Sequence, residues 1–311
     1  MKLRYKIIIP VLIVLIITIL IICLSVLDNN QTKFYVVKKH YSIVSDTIPT
    51  MDIRIFTNSE ENEYLTKEKI IQSSIYNDQD YYSTEIVSIK KLDGVELIKE
   101  TECFQYKIEL KLNFEIEKML NIQDAKLELV YLSNEKIIIN VGNICFEKYS
   151  NDNIINIKKV QAICNDLGNL ESLVGLKISI ENDLSSSVRI KSLKVLSQSI
   201  EVNNQFVIVD EYNTEIEHTT PLSQIIGKQY NLYQKSTTPF NPIDLDQNTA
   251  KDIIIPLTYT QKEFVDHLGL LIEIDYNDST YYQIISPYLL FTTSNLDYAI
   301  YEYEIINNTT K

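Results

Sequence analysis

The sequence predicts a mainly β chain: an N-terminal transmembrane helix followed by two antiparallel β-sandwich domains. Three observations predict it. An uncharged apolar run extends from Ile7 to Leu27, apolar and polar residues alternate over many later segments, and no sustained helical stripe follows the span.

The run IIIPVLIVLIITILIICLSVL is long enough as a helix to cross a hydrocarbon core of roughly 30 Å. Pro10 falls in its first turn, where a missing N–H costs the helix little. Lys2, Arg4 and Lys6 precede the run and Asp28, Asn29 and Asn30 follow it, so the positive-inside rule places residues 1–6 in the cytoplasm and everything after Leu27 outside. A cleaved signal peptide requires a shorter apolar region and a small-x-small site, which Cys23-Leu24-Ser25 matches poorly. A lipoprotein requires a small residue before its cysteine, and Ile22 stands there. The expectation is a retained single-pass anchor over residues 7–27 in a cell membrane.

The part beyond the span carries all 42 acidic residues. Because three basic residues lie ahead of the span, it holds 26 of the 29 basic ones, a net charge of −16. Such a surface repels nucleic acid and anionic lipid headgroups. Cys103, Cys145 and Cys164 lie outside, where a disulfide is permitted, but an odd number leaves at least one thiol over. The many Ile, Asn, Lys and Tyr, with six Gly and no Trp, are what an AT-rich genome produces irrespective of function.

Phe104, Tyr106, Ile108, Leu110, Leu112, Phe114 and Ile116 alternate with polar residues and describe one long strand with a buried and a wet face. Val174-Leu176-Ile178-Ile180 and Leu268-Leu270-Ile272-Ile274-Tyr276 alternate likewise. Further strands are expected over residues 86–89, 127–132, 137–141, 188–196, 206–209 and 253–259. Asp93-Gly94 predicts a two-residue hairpin, and Asn277 to Thr280 a hairpin with a longer loop. Helical evidence is thin: Thr66 to Asn77 and Glu115 to Ala125 could each make a short helix, but neither shows a sustained i, i+3, i+4 stripe.

The polar stretch Ser150-Asn151-Asp152-Asn153 marks a junction between a first domain, residues 28–150, and a second, residues 151–311. Thr219 to Asp252, broken by Pro221, Pro239 and Pro242, is the longest irregular stretch and the expected seat of binding. The segment LKISIENDLSSSVRIKSL resembles immunoglobulin-type bacterial surface modules in its pleat and turn, which implies immunoglobulin-like sandwiches.

The search for chemistry assigns no catalytic, cofactor-binding or metal-binding residue. His40, His218 and His267 lie far apart, without metal-ligand spacing. Asp244, Asp246, Asn248 and Asp252 resemble the start of a calcium loop, but Thr249 stands where an EF-hand needs Gly and Ile255 where it needs Glu. No G-x-S-x-G, S-x-x-K or glycine-rich phosphate loop occurs. Tyr81-Tyr82, Tyr281-Tyr282 and Tyr298-Tyr301-Tyr303 form clusters that suit interfaces and that composition also supplies.

The resulting expectation is a non-enzymatic, membrane-anchored interaction or structural module outside the cytoplasm, with a protein partner from the envelope or secreted and no cofactor. The alternative is a ligand-binding or sensor module, and after it a hydrolase with dispersed carboxylates.

Overall fold

Alternation of apolar and polar side chains, backed by β-branched residues, makes strands the dominant element along this chain. The computed structural model describes residues 16–18, 34–36, 38–48, 50–98, 101–113, 119–166, 171–212, 215–216, 220–260 and 265–288. The predicted span lies outside them apart from Ile16, Ile17 and Thr18, which are helical. No helix among the described residues is long and apolar enough to cross a membrane.

The first unit contains β1 (Phe34–Val36), β2 (Lys39–Ser45), β3 (Thr50–Thr57), β4 (Ile70–Tyr76), β5 (Tyr81–Ile98), β6 (Thr101–Leu112), β7 (Met119–Tyr131) and β8 (Lys136–Lys148). They follow one another in the order β1-β3-β6-β5-β4-β7-β8-β2. Strand β5 joins two halves of this sheet, pairing with β4 over residues 81–84 and with β6 from Thr84 onward. Side chains from both halves meet in one core that includes Ile53, Ile108 and Leu110 on one side and Ile75, Leu127 and Ile139 on the other.

The second unit contains β9 (Asn156–Asp166), β10 (Glu171–Asn182), β11 (Val188–Val195), β12 (Ile200–Val202), β13 (Ile208–Glu211), β14 (Ile243–Leu245), β15 (Thr249–Tyr259), β16 (Val265–Tyr276) and β17 (Ser279–Tyr288). A sheet ordered β12-β15-β10-β9, with β13 also along β15, faces the strands β17-β16-β11-β14. Leu176, Ile178, Ile253 and Ile255 from the first sheet and Ile190, Leu270, Ile272 and Ile274 from the second share its core. Strand β2 pairs with β16 as well as β8, so one 12-stranded sheet runs through both units.

The expected alternation is visible in β6, where Tyr106, Ile108, Leu110 and Leu112 are buried and the residues between them half-buried. Several local expectations are corrected. Asp93-Gly94 is not a hairpin turn, because β5 continues through it to Ile98. Lys91 pairs with Tyr106 and Val95 with Phe104, so Leu92, Asp93 and Gly94 bulge out opposite Gln105 alone. The positive φ that Gly94 supplies, 101°, serves that bulge. It bends an edge segment that Lys90 and Lys91 also guard against pairing with another chain.

The helix expected over Thr66 to Asn77 is a 3-10 turn at Lys67–Lys69 followed by β4. Ser73, Ser74 and Ile75 are poor helix formers and gain partners on both sides, in β5 and β7. The described part of the other expected helix, Met119 to Ala125, belongs to β7, where Leu120 and Ile122 alternate into the core. The turn between β16 and β17 is shorter than expected. Tyr276 pairs with Ser279, leaving only Asn277 and Asp278, at φ 47° and 58°, as the turn residues. Phe206 falls in a 3-10 turn, Asn204–Phe206, ahead of β13. Residues Phe114 to Ile116 lie outside the described residues.

Candidate functional site at the junction of the two units

Strand β2, KHYSIVS, is buried throughout from Lys39 to Val44. It runs parallel to β8 from Lys39↔Gly142 to Ser45↔Lys148, and parallel to the start of β16 through Val265↔His40 and His267↔Tyr41. Parallel pairing needs a long connection between the strands it joins, and here most of the chain separates β2 from β16. Ser42 seals the seam: its hydroxyl donates to the Leu196 carbonyl and accepts from the Gly269 N–H at 3.0 Å.

Val44 and Cys145 of the first unit pack with Leu196, Leu271 and Ile284 of the second. Beside them the Tyr149 and Tyr282 rings lie 5.0 Å apart. Tyr149 donates to Glu147 Oε1 at 2.8 Å, and Lys194 holds the other Glu147 oxygen at 3.1 Å. Burial, with the neighbouring Glu147 carboxylate, pushes the Tyr149 phenol up to about 12. It stays a neutral donor across the physiological range.

The polar stretch 150–153 is a strap along β17. Asp152 N–H donates to the Tyr282 carbonyl at 2.9 Å, Tyr282 N–H donates to Asp152 Oδ2 at 2.9 Å, and Ile284 N–H donates to Asn151 Oδ1 at 3.2 Å. These bonds occupy an edge that would otherwise offer its N–H and C=O groups to another strand.

Next to this seam opens a crevice of about 420 Å³. The β4–β5 turn contributes Asn77 and Gln79, the bulged start of β7 contributes Asn121, Gln123 and Asp124, and the second unit contributes Gln198. Asp124 reaches the rim because its backbone sits at φ 48°, a conformation that Asp tolerates, and its N–H is held by Asn143 Oδ1 at 3.0 Å. Gln123 Nε2 donates to Gln198 Oε1 at 2.5 Å, closing one end between the units. Asp78 and Lys126 face each other at 4.0 Å. Tyr76 and Tyr81 bracket the turn, their ring centroids 6.3 Å apart, and Tyr81 is 56% exposed.

Chemically the crevice offers amide and carboxylate groups and the Lys126 ammonium, all hydrogen-bonding. Its lining includes no Ser, Thr, Cys or His to act as nucleophile or base.

The residues singled out in the sequence are dispersed. His40 lies buried in β2, the side chain of His267 and all of His218 lie outside the described residues, and no group of ligating residues among the described residues could hold a metal. Asp244 pairs with Arg189 at 2.7 Å across β14 and β11, and that guanidinium holds its carboxyl below the usual range. Asp246 and Asn248 form the following turn, while Asp252 is buried against Lys177. Thr219 to Asp252 contains a short helix, Leu222–Ile225, and β14, and buries Leu222 and Leu232 in the second core.

Cys103, Cys145 and Cys164 form no disulfide among the described residues, and burial pushes Cys103 up to about 11. Of Tyr81-Tyr82, the first is exposed and the second packs against the first core, Tyr282 joins the seam, and Tyr298, Tyr301 and Tyr303 lie outside the described residues. Sequence reading missed the crevice because Asn77, Asp124 and Gln198 carry no shared motif or spacing. The Asn-Asp-Gln-Asp cluster at residues 77–80 was the one local signal of a turn.

No family model and no curated protein matches the chain. Among solved structures, the C-terminal domain of the Streptococcus agalactiae AgI/II polypeptide BspA aligns at 11% identity and TM-score 0.22, covering 81% of this chain and 97% of that one. The C-terminal domain of the Streptococcus pyogenes antigen I/II-family protein AspA aligns at 9% identity and TM-score 0.21, covering 81% and 97%. A Porphyromonas gingivalis W83 protein of unknown function aligns at 11% and 0.20, covering 82% and 98%. Superpositions this loose leave the function to be argued from the chain's own strands and side chains.

Proposed function

We propose that this chain is a non-enzymatic interaction module, tethered to a cell membrane by residues 7–27, whose two immunoglobulin-like sandwiches stand outside the cytoplasm. The strand orders support the sandwich reading: β1-β3-β6-β5 opposite β4-β7-β8-β2 in the first unit, and β9-β10-β15 opposite β11-β16-β17 in the second. The observation that carries the function is the seam at β2. A strand shared by both units ties them together, which suits a module that presents the crevice to a protein partner outside the membrane.

Polar crevice walls beside a turn that ends in the exposed Tyr81 are what a wet, hydrogen-bonded protein interface uses. A photo-crosslinking residue in place of Gln79, in the intact membrane-bound chain, should give one discrete adduct. The same residue in place of Ser133, on the exposed turn between β7 and β8, should give none. Equal adduct patterns from both positions would remove the crevice from the interface. The second reading, a small polar ligand, is favoured by the crevice's volume of about 420 Å³ and its polar lining.

The topology has its own test. In a chain with every native cysteine replaced, an impermeant thiol reagent should label Gln247→Cys, on an exposed turn, in intact cells. Labelling only after lysis would put the sandwiches on the cytoplasmic side.

A further inference from the structure

Within the irregular stretch Thr219 to Asp252, the segment from Tyr230 to Lys235 is tied to β12 and β15 by four contacts. The Leu232 carbonyl accepts from the Tyr259 N–H at 2.7 Å, the Gln234 carbonyl accepts from Asn203 Nδ2 at 3.4 Å, the Tyr230 hydroxyl donates to the Leu257 carbonyl, and Lys235 pairs with Glu201 at 2.8 Å. Glu201 lies opposite Thr258 in the β12–β15 ladder, and alternation along β15 turns Thr258 away from the core that Leu257 and Tyr259 share. The segment therefore roofs the face that carries Thr258. Phe206 stands edge-on to the Tyr230 ring at 5.6 Å and closes one side.

Under this roof oxygen atoms are left over. Asn203 and Thr258 are each 2% exposed, yet Asn203 Oδ1 and Thr258 Oγ1 make no well-formed hydrogen bond among the described residues, and neither does Oδ1 of the next residue, Asn204. The orientation of Asn203 is fixed, because the Gln234 carbonyl can only accept and so must face its Nδ2. The Tyr230 hydrogen is committed to Leu257, which leaves the phenol's lone pairs. Burial raises the Tyr230 phenol above its usual range, and the Thr258 and Asn203 side chains draw it partly back, so the three groups lie close together.

Lone pairs outnumber hydrogens at this point. A water would supply two hydrogens and Thr258 one, against the lone pairs of three side-chain oxygens and the second lone pairs of the Leu257 and Gln234 carbonyls. A cation serves all of them at once, as neutral oxygens do when they replace an ion's hydration shell. No carboxylate belongs to the set, and the neighbouring Glu201 is already balanced by Lys235, so the charge suits a monovalent ion and not calcium or magnesium, which draw on carboxylates. We infer that Asn203, Thr258 and Tyr230 form a binding site for an alkali-metal cation, sodium or potassium, between β15 and the segment 230–235. A chain of net charge −13 gathers such cations around it. The bound ion pins the segment to the sheet, so the order of this loop follows the ionic composition outside.

The test is thermal melting of the full chain in a non-ionic detergent at constant ionic strength, with tetramethylammonium chloride exchanged stepwise for sodium or potassium chloride. The melting temperature should climb and level off with at least one of the two ions, by roughly 5 °C at a hundredfold excess over its Kd, because an ion held by the folded state alone stabilises that state. Thr258→Val, which keeps the branched shape and removes Oγ1, and Tyr230→Phe should each flatten the climb. Salts are compared within one variant, so a lower starting stability does not disturb the result. Should neither variant fold, wild-type crystals grown with thallium(I) decide, and an anomalous peak among Asn203 Oδ1, Thr258 Oγ1 and Tyr230 Oη is the expected outcome. Equal melting in all three salts, an undiminished climb in either variant, or no peak at these oxygens overturns the site.

Discussion

Replacing Leu110 with aspartate is expected to unfold the first unit at ordinary temperature, while the same replacement one residue along leaves it folded. Leu110 is fully buried in the first core, between Met51 on β3 and Ile86 on β5. Leu110→Asp forfeits the leucine burial and places a carboxylate where nothing pairs with it. The combined loss is about 4 kcal/mol or more, of the order of the stability of a whole domain.

Lys111 is half-buried and lies across from Glu85, so Lys111→Asp sets two carboxylates opposite each other. That repulsion is worth roughly 1 kcal/mol at most. Thermal melts of the chain lacking residues 1–27 separate the two. Equal losses would mean that the second face of β6 is covered as completely as the first.

Strand β6 was legible because one of its faces is dry and the other only half-buried, the situation that period-two alternation records. Strand β2 escaped the same scan because it is buried on both faces and paired on both edges, so Tyr41, Ser42, Ile43 and Val44 show no alternation. The reverse error occurred in β10. Its apolar positions Leu176, Ile178 and Ile180 point into the core as the alternation predicts, but Lys177 and Ser179 between them are buried too. A polar residue in a strand identifies the face away from the core, and the sequence holds no sign of what covers that face.

Asp93-Gly94 shows a related ambiguity. The pair announces positive φ, which both a hairpin turn and a bulge require, and only the partner strand decides between them. The crevice was illegible for a different reason. It is assembled from a turn, a bulge and a residue of the other unit, held together by the parallel pairing of β2 that no local pattern encodes.

Three glycines with contrasting surroundings test that pairing. Gly94 and Gly142 both adopt positive φ, 101° and 105°, but a Cβ on Gly94 meets nothing within 4 Å, whereas one on Gly142 would lie 2.1 Å from the Lys39 carbonyl oxygen and 2.6 Å from Lys39 N. Gly94→Ala should therefore cost only the backbone strain, about 1–2 kcal/mol. Gly142→Ala adds an overlap with the backbone of β2 that no rotamer relieves. It should cost roughly 3 kcal/mol or more and drive β2 from β8.

On the other side of the same strand, a Cβ on Gly269 would stand 2.7 Å from Val44 Cγ2 and 2.9 Å from Val44 N. Gly269→Ala thus strains the β2–β16 contact without a φ penalty, and pairing it with Val44→Ala restores only the side-chain part. The expected signature of both seam variants is a melt that splits into two transitions and new protease cleavage between residues 36 and 50, with Gly94→Ala retaining a single transition. If Gly142→Ala and Gly94→Ala lost the same stability and both melted as one unit, strand β2 would not be the element that couples the two sandwiches.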